Sequence, residues 1–323
     1  MSKKKINLAI IFPNINDWQG GLNYFISLVS VLKLIKNKNF EFKIFSSDEN
    51  YKILKNLMPG KNVIYTNCLK KFSFNYILRK VLEKIFKNDI YLEKILMRYR
   101  INVISHYKPL DNIKSICWIP DLQHKVLKKN FNKKEITQRD KIFKNYLKKA
   151  TKVITSSKTA KNYLIKSYKY LNVKKISVLN FVPLINISKI KKFPVIKKKY
   201  NLPLNYFFCP NQFWIHKNHK LIINAISHIK NKEISFKIIF SGSRKDYRNQ
   251  NHISSIMKKI KKNNLSSHFI FLDKIIYEDV ISIMYYSNAI LNPSIFEGWS
   301  TTVEEGKLLK KRICLSKINT HLE

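Results

Sequence analysis

NAILNPSIFEGWSTTVEEGKLL, residues 288–309, opens as an apolar strand and continues through a polar loop into a helix. The strand run NAILNPS ends at Pro293 and Ser294. The loop IFEGWS presents Glu297 and then the amides of Gly298, Trp299, Ser300 and Thr301. Thr301 or Thr302 stands where an N-cap is needed for the helix TTVEEGKLL. A short β-rich run passing directly into a helix is half of a βαβ unit, and units of this kind build parallel sheets.

The same pattern recurs along the chain. INLAIIF (6–12), EFKIFSS (41–47), NVISH (102–106), SICWIPD (115–121), KVITSS (152–157) and ISVLNFV (176–182) alternate with amphipathic segments of helix length. After Pro183, the stretch SKIKKFPVIKKKYNLP is basic without a periodic apolar face and reads as a linker, set at 184–204. A second series follows: NYFFCPN (205–211), FKIIFSG (236–242), FIFLD (269–273), NAILNPS (288–294) and RICLS (312–316). The expected fold is α/β, with Rossmann-like domains over 1–183 and 205–323. Their parallel sheets are expected to face one another across a cleft, where ligands meet the carboxyl ends of the strands.

Composition bounds the partners. The chain has 323 residues, 45% of them hydrophobic, enough for two cores of ordinary size. Its 62 Lys and Arg against 20 Asp and Glu give a formal charge of +42. Only seven of the 62 are Arg, the residue suited to forked phosphate and guanine contacts, and no RNP, zinc-finger or helix-turn-helix signature is present. Spread charge makes a field without making a site. Codon bias toward A·T and an anionic membrane surface therefore rank ahead of nucleic acid. Cys68, Cys117, Cys209 and Cys314 show no metal-ligand spacing, and three of them lie in strand-like runs, as small buried hydrophobes would. The apolar run of MSKKKINLAIIFPN stops at Pro13, short for a signal peptide or a membrane span, so a cytoplasmic location is expected, peripheral on the inner face of the membrane. The segment 77–100 places Ile77, Val81, Ile85, Ile90, Leu92, Ile95 and Leu96 at helical spacing among Lys and Arg. Such a helix lies either on anionic lipid or on the sheet.

With six glycines in the chain, their positions carry information. Gly20 and Gly21 follow the first strand and open a helix. Gly242 ends a strand of the second series, and Gly298 follows Glu297. GxGxxG is absent, but a strand, a glycine and a helix N-terminus still make an anion site. Glu297 and Glu305 bracket one such helix start. Two acids beside a phosphate site suit a ligand with hydroxyls on both sides of its phosphates; acids that merely favour a helix N-terminus are the other reading.

PSIFEGWSTTVEEGK, with seven residues between Glu297 and Glu305, resembles the E-x7-E motif of retaining GT-B glycosyltransferases of the GT4 kind (glycosyl transferases group 1), in particular bacterial members with EGWSTTVEE. NQFWIHKNHKLIINAI (211–226) is similar to that group's donor-binding strand, loop and helix. WIPDLQHK (118–125) resembles a segment of its first domain, and the Gly20–Gly21 turn its first loop. The resemblance implies a cytoplasmic retaining hexosyltransferase that moves a sugar from a GDP- or UDP-linked donor to a glycan or lipid-linked acceptor in cell-surface polysaccharide synthesis. Glu297 is then expected to hold hydroxyls of the donor sugar, Glu305 the ribose and Lys217 the diphosphate. Gly242, Gly298, Trp299, Ser300 and Thr301 complete the donor site. His124 and Asp121 are expected near the reacting sugar, and Gly20 and Gly21 on the acceptor side. No Asp-x-Asp motif is present, so neither a metal nor another cofactor is expected. His216 and His219 flank Lys217, with capping and donor contact both open.

The chain departs from this pattern in places. Many relatives pair the lysine with an arginine six residues earlier, where this chain has Asn211, which offers a neutral hydrogen bond. Lys310 stands where relatives end the helix with glycine, at a left-handed position costing about 1 kcal/mol. Related chains continue past the point matching Glu323, so a truncated, catalytically silent member acting as a binding subunit is the alternative expectation.

Overall fold

Strand β1 (Ile6–Ile11) sends Leu8 and Ile10 into one apolar cluster and Ala9 and Ile11 into another. Successive side chains on a strand point to opposite faces, so a strand apolar from Leu8 through Ile11 needs a packed layer on each side. Helices from the intervening segments supply those layers. In this computed structural model, which describes residues 5–13, 19–58, 60, 62–169, 172–229 and 235–323, the chain divides into two units, Met1–Leu122 with Thr137–Phe181 and Gln123–Ile136 with Val182–Glu323.

The first unit holds β1, β2 (Phe40–Ser46), β3 (Val63–Tyr65), β4 (Val103–Ser105), β5 (Lys114–Ile119), β6 (Lys152–Thr155) and β7 (Ile176–Val178). They form one sheet in the order β3-β2-β1-β4-β5-β6-β7, every pair parallel. The second holds β8 (Tyr206–Cys209), β9 (Lys237–Ser241), β10 (Phe269–Leu272), β11 (Ala289–Asn292) and β12 (Ile313–Leu315), in the parallel order β10-β9-β8-β11-β12. Here too the faces alternate: Ile238 and Phe240 enter one core, Ile239 the other. Each of the eleven expected runs contains a strand. β3 was not foreseen.

Three expectations are corrected. The linker 184–204 belongs to the second unit and carries the helix Phe193–Tyr200, with Pro194 in its first turn. Its Ile196 is fully buried beside Tyr206, Phe208 and Met284. Phe193 and Tyr200 pack on the same core, at i, i+3, i+7 spacing with Ile196, a stripe too short to stand out among the lysines. Part of its basic character meets buried Asp279, which takes Lys191 at 2.5 Å, Lys199 at 2.6 Å and the Tyr200 hydroxyl at 2.6 Å. Second, residues 123–136 group with the second unit rather than the first. Third, Cys314 is exposed while the other three cysteines are buried, because β12 is an edge strand. Lys310 takes the expected left-handed backbone, with φ 53°.

Candidate functional site

In the second sheet, connections run one way from β8 toward β10 and the other way through β11 to β12, so the strand order reverses between β8 and β11. At such a switch point the loops leaving the two strands diverge and open a crevice at their carboxyl ends. The loop after β8 carries Asn211 and Lys217, and the loop after β11 carries Glu297 to Thr301. Backbone pairing joins them: the Ile295 amide donates to the His216 carbonyl at 2.9 Å, and the Asn218 side chain donates to the Pro293 carbonyl at 3.2 Å. Asn218 closes the short 3-10 turn Ile215–Lys217 in the left-handed conformation that asparagine tolerates.

That geometry brings Lys217 Nζ to 2.7 Å from Glu297 Oε1. Both groups are largely buried, and an ammonium with three N–H donors keeps two for other acceptors. Beneath the pair lies a closed polar network. Asn211 Nδ2 reaches Asn292 Oδ1 at 3.3 Å, Ser294 Oγ donates to the same oxygen at 2.7 Å, and Asn292 Nδ2 donates to Ser300 Oγ at 2.8 Å. The Asn211 Nδ2 group thus ties the loop after β8 to β11 within the unit. Gly242 has a similar internal reason. It sits at φ +146°, and a Cβ there would lie 2.7 Å from the Asn211 carbonyl oxygen.

The N-cap position of the helix Thr301–Leu308 is Ser300, not Thr301 or Thr302 as expected. The Ser300 hydroxyl is held by Asn292 and makes no cap bond, so the first-turn N–H groups have no side-chain cap to compete with an anion. Glu305, one turn in, is 4% exposed and accepts a bond from the Tyr277 hydroxyl at 2.8 Å. Burial pushes its carboxyl up to about 7, against the lowering effect of that bond. Gly306 lets this helix approach the sheet: a Cβ would fall 2.7 Å from Ile313 and 2.8 Å from Ile290. Glu304, itself buried, accepts from the exposed Lys307 at 2.9 Å.

His216 and His219 are buried and held neutral. Desolvation brings His216 down to about 2 and His219 to about 3. The His219 ring stacks on Phe213 at 4.4 Å, a packing role. His216 lines a small cavity with Trp214, Asp246, Arg248 and Gln123. The Arg248 guanidinium lies 4.1 Å from the centre of the Phe131 ring, and its Nε is 3.5 Å from Glu135. These contacts explain why residues 123–136 group with the second unit. His124, fully buried with its ring edge-on to Phe131, comes with them. Arg248 and Trp214 went unnoticed in the sequence, where an isolated Arg and a Trp in a loop carry no pattern.

Residues 187–321 match the family model Glycosyl transferases group 1. No curated protein matches the chain. Among solved structures, Anabaena Alr3699/HepE in complex with UDP and glucose is similar at 12% identity and TM-score 0.67, covering 98% of this chain and 82% of that one. A glycosyltransferase from Rickettsia africae reaches 17% identity and TM-score 0.65, covering 98% and 80%. WaaG, a glycosyltransferase involved in lipopolysaccharide biosynthesis, reaches 12% and 0.63, covering 96% and 81%. The chain has the GT-B fold.

In this GT-B chain the second unit gathers Asn211, Lys217, Gly242, Glu297, Gly298, Trp299, Ser300, Thr301, Glu305 and His124. Asp121, Gly20 and Gly21 belong to the first. Asp121, just past the end of β5, pairs with Arg139 at 3.3 Å. Gly20 and Gly21 lie in the first turn of the helix Gln19–Leu34 after β1, beside the switch point between β1 and β4. That point also holds a residue the sequence left unmarked. His106, directly after β4, has φ 60°, in the left-handed region that few residues other than glycine adopt. Its Nε2 is 2.5 Å from the Tyr24 hydroxyl and its Nδ1 2.7 Å from Ser105 Oγ. Desolvation lowers it to about 3, so the ring is neutral.

Proposed function

We propose that the protein is a retaining glycosyltransferase that moves a hexose from a nucleotide-diphosphate sugar to a glycan or lipid-linked acceptor. The observation that carries this reading is the Lys217–Glu297 pair at 2.7 Å, at the switch point, on the loop that leads into the helix carrying Glu305. In this reading Lys217 gives its remaining N–H donors to the diphosphate, and the first-turn amides of the helix Thr301–Leu308 add a fixed positive end. Glu297 accepts from the sugar hydroxyls, and Glu305 from the ribose diol. With Asn211 engaged internally, the charge leaving with the diphosphate is met by Lys217 and these dipoles.

On this proposal the bond from the anomeric carbon to the diphosphate oxygen breaks as the acceptor oxygen closes on the same face. The acceptor proton passes to the departing diphosphate. Such a step relies on placed cations and dipoles more than on a strong base, which suits a segment whose His216 and His219 are held neutral. The similarity to a structure complexed with UDP-glucose makes UDP-linked sugars the first donors to try.

Calorimetric titration with UDP, GDP and ADP sugars, on the wild type and on Lys217→Ala and Glu305→Ala, tests the donor site. Saturable binding to one nucleotide class, weakened by both substitutions, is expected. Absence of binding to all three overturns the reading. Turnover with radiolabelled donor and membrane-extracted acceptor then distinguishes transfer from binding alone.

A further inference from the structure

We propose that Phe72 and the outer stripe of the helix Phe74–Phe86 form a docking face for an anionic lipid bilayer. The segment 77–100, which the sequence presents as one amphipathic run, is two helices, Phe74–Phe86 and Ile90–Arg98, broken at Lys87 with φ 54°. The second buries its apolar residues: Leu92 and Leu96 are fully enclosed. The first does the reverse. Phe74, Ile77, Val81 and Ile85, spaced 3, 4 and 4 apart, make one stripe on a helix of 3.6 residues per turn, and all are at least half exposed.

The helix cannot roll over to hide this stripe, because its other side is fastened. Arg79, 3% exposed, makes a forked contact with Asp89 at 2.9 and 2.7 Å and donates to the Cys68 carbonyl at 2.9 Å. Ahead of the helix, Phe72 is 90% exposed and sits at φ 64°, in the left-handed region that disfavours a bulky side chain. Strain that presents an aromatic ring to the outside, two residues from Phe74 at 77% exposure, is what an inserted wedge requires.

Charge selects the occupant. Lys80 and Lys84 flank the stripe on one side, and Lys70, Lys71 and Lys87 stand at the two ends of the segment, all exposed. The one carboxylate between residues 70 and 87, Glu83, is half a turn away and paired with Lys80 and Lys108. Apolar rings bordered by lysines match the acyl boundary and phosphate layer of an anionic leaflet. This inference does not depend on the donor site.

Sedimentation with sucrose-loaded vesicles of phosphatidylglycerol and phosphatidylcholine tests it. The wild type is expected to bind these vesicles and to bind pure phosphatidylcholine at least tenfold more weakly. Phe72→Ser with Phe74→Ser, and separately Lys80→Glu with Lys84→Glu, should each reduce partitioning at least tenfold with circular dichroism and Tm unchanged. If the double Phe variant does not fold, Phe74→Trp replaces it, and brominated acyl chains should quench fluorescence from that position. No wild-type binding, binding unaffected by the Phe changes, or absence of quenching overturns the proposal. So does light scattering in which the Phe changes convert a dimer to a monomer without any vesicle binding, which would make a second copy the occupant.

Discussion

Lys217 and Glu297, 80 residues apart in sequence, meet at 2.7 Å where β8 and β11 separate. Each keeps the other's charge tolerable in a largely buried place. Replacing Lys217 with Ala removes the cation expected to meet the diphosphate. A lost hydrogen bond to a charged group is worth roughly 1.5–3 kcal/mol, so nucleotide-diphosphate affinity should fall about 10- to 100-fold by calorimetry. Glu297→Gln should instead retain affinity for the free nucleotide diphosphate and lose turnover.

Glu305 gives the site a pH dependence. Its carboxyl titrates at about 7, raised by burial. If a ribose diol donates to the carboxylate, binding favours ionisation and affinity rises with pH up to about 7. At pH 6, with about one molecule in ten ionised, binding should be about tenfold weaker than at pH 8. Glu305→Gln should remove this slope.

The same carboxyl affects stability with a definite sign. Its folded value of about 7 lies above the ordinary 4.5, so the native state holds the proton more tightly than the unfolded chain. The stabilising contribution is full below pH 4.5 and is lost as pH rises through 7. Glu305→Gln is expected to raise Tm relative to wild type above pH 7, by the equivalent of up to about 3 kcal/mol, with the difference fading toward pH 4.5. Melting curves across pH 4–8 check it.

Gly242→Ala should destabilise the second unit by at least ~2 kcal/mol, through the left-handed backbone and the clash with the Asn211 carbonyl. Urea denaturation measures the loss. Gly60, at φ +122° with open space around it, serves as the control that carries backbone strain without the clash.

Arg79→Ala should cost about 3–5 kcal/mol, because it leaves Asp89 buried without its main partner. Lys108, at 3.0 Å, remains close enough to soften the loss. The Asp89 carboxyl, raised by desolvation but lowered further by Arg79 and Lys108, lies at about 2, so stability carried by this pair persists above the ordinary carboxylate range and is lost toward pH 2.

Much of this was legible in the sequence because it is local. Apolar runs of four to seven residues between amphipathic segments determined eleven of the strands and the α/β class. The spacing of Glu297 and Glu305 placed both on one loop and helix start, while the left-handed turn at Lys310 followed from the resemblance to chains with glycine there. What failed depended on partners distant in sequence. The helix Phe193–Tyr200 is held by the core around Tyr206 and Met284, and residues 123–136 by Arg248 and Tyr247. Cys314 is exposed because its strand ended at the edge of the sheet. Periodicity determined which residues form strands and helices. Only the tertiary structure decided which side chains share a buried space, and with it the pairing of Lys217, the raised carboxyl of Glu305 and the exposed face of the helix Phe74–Phe86, since burial and ion pairing depend on what the rest of the chain brings alongside.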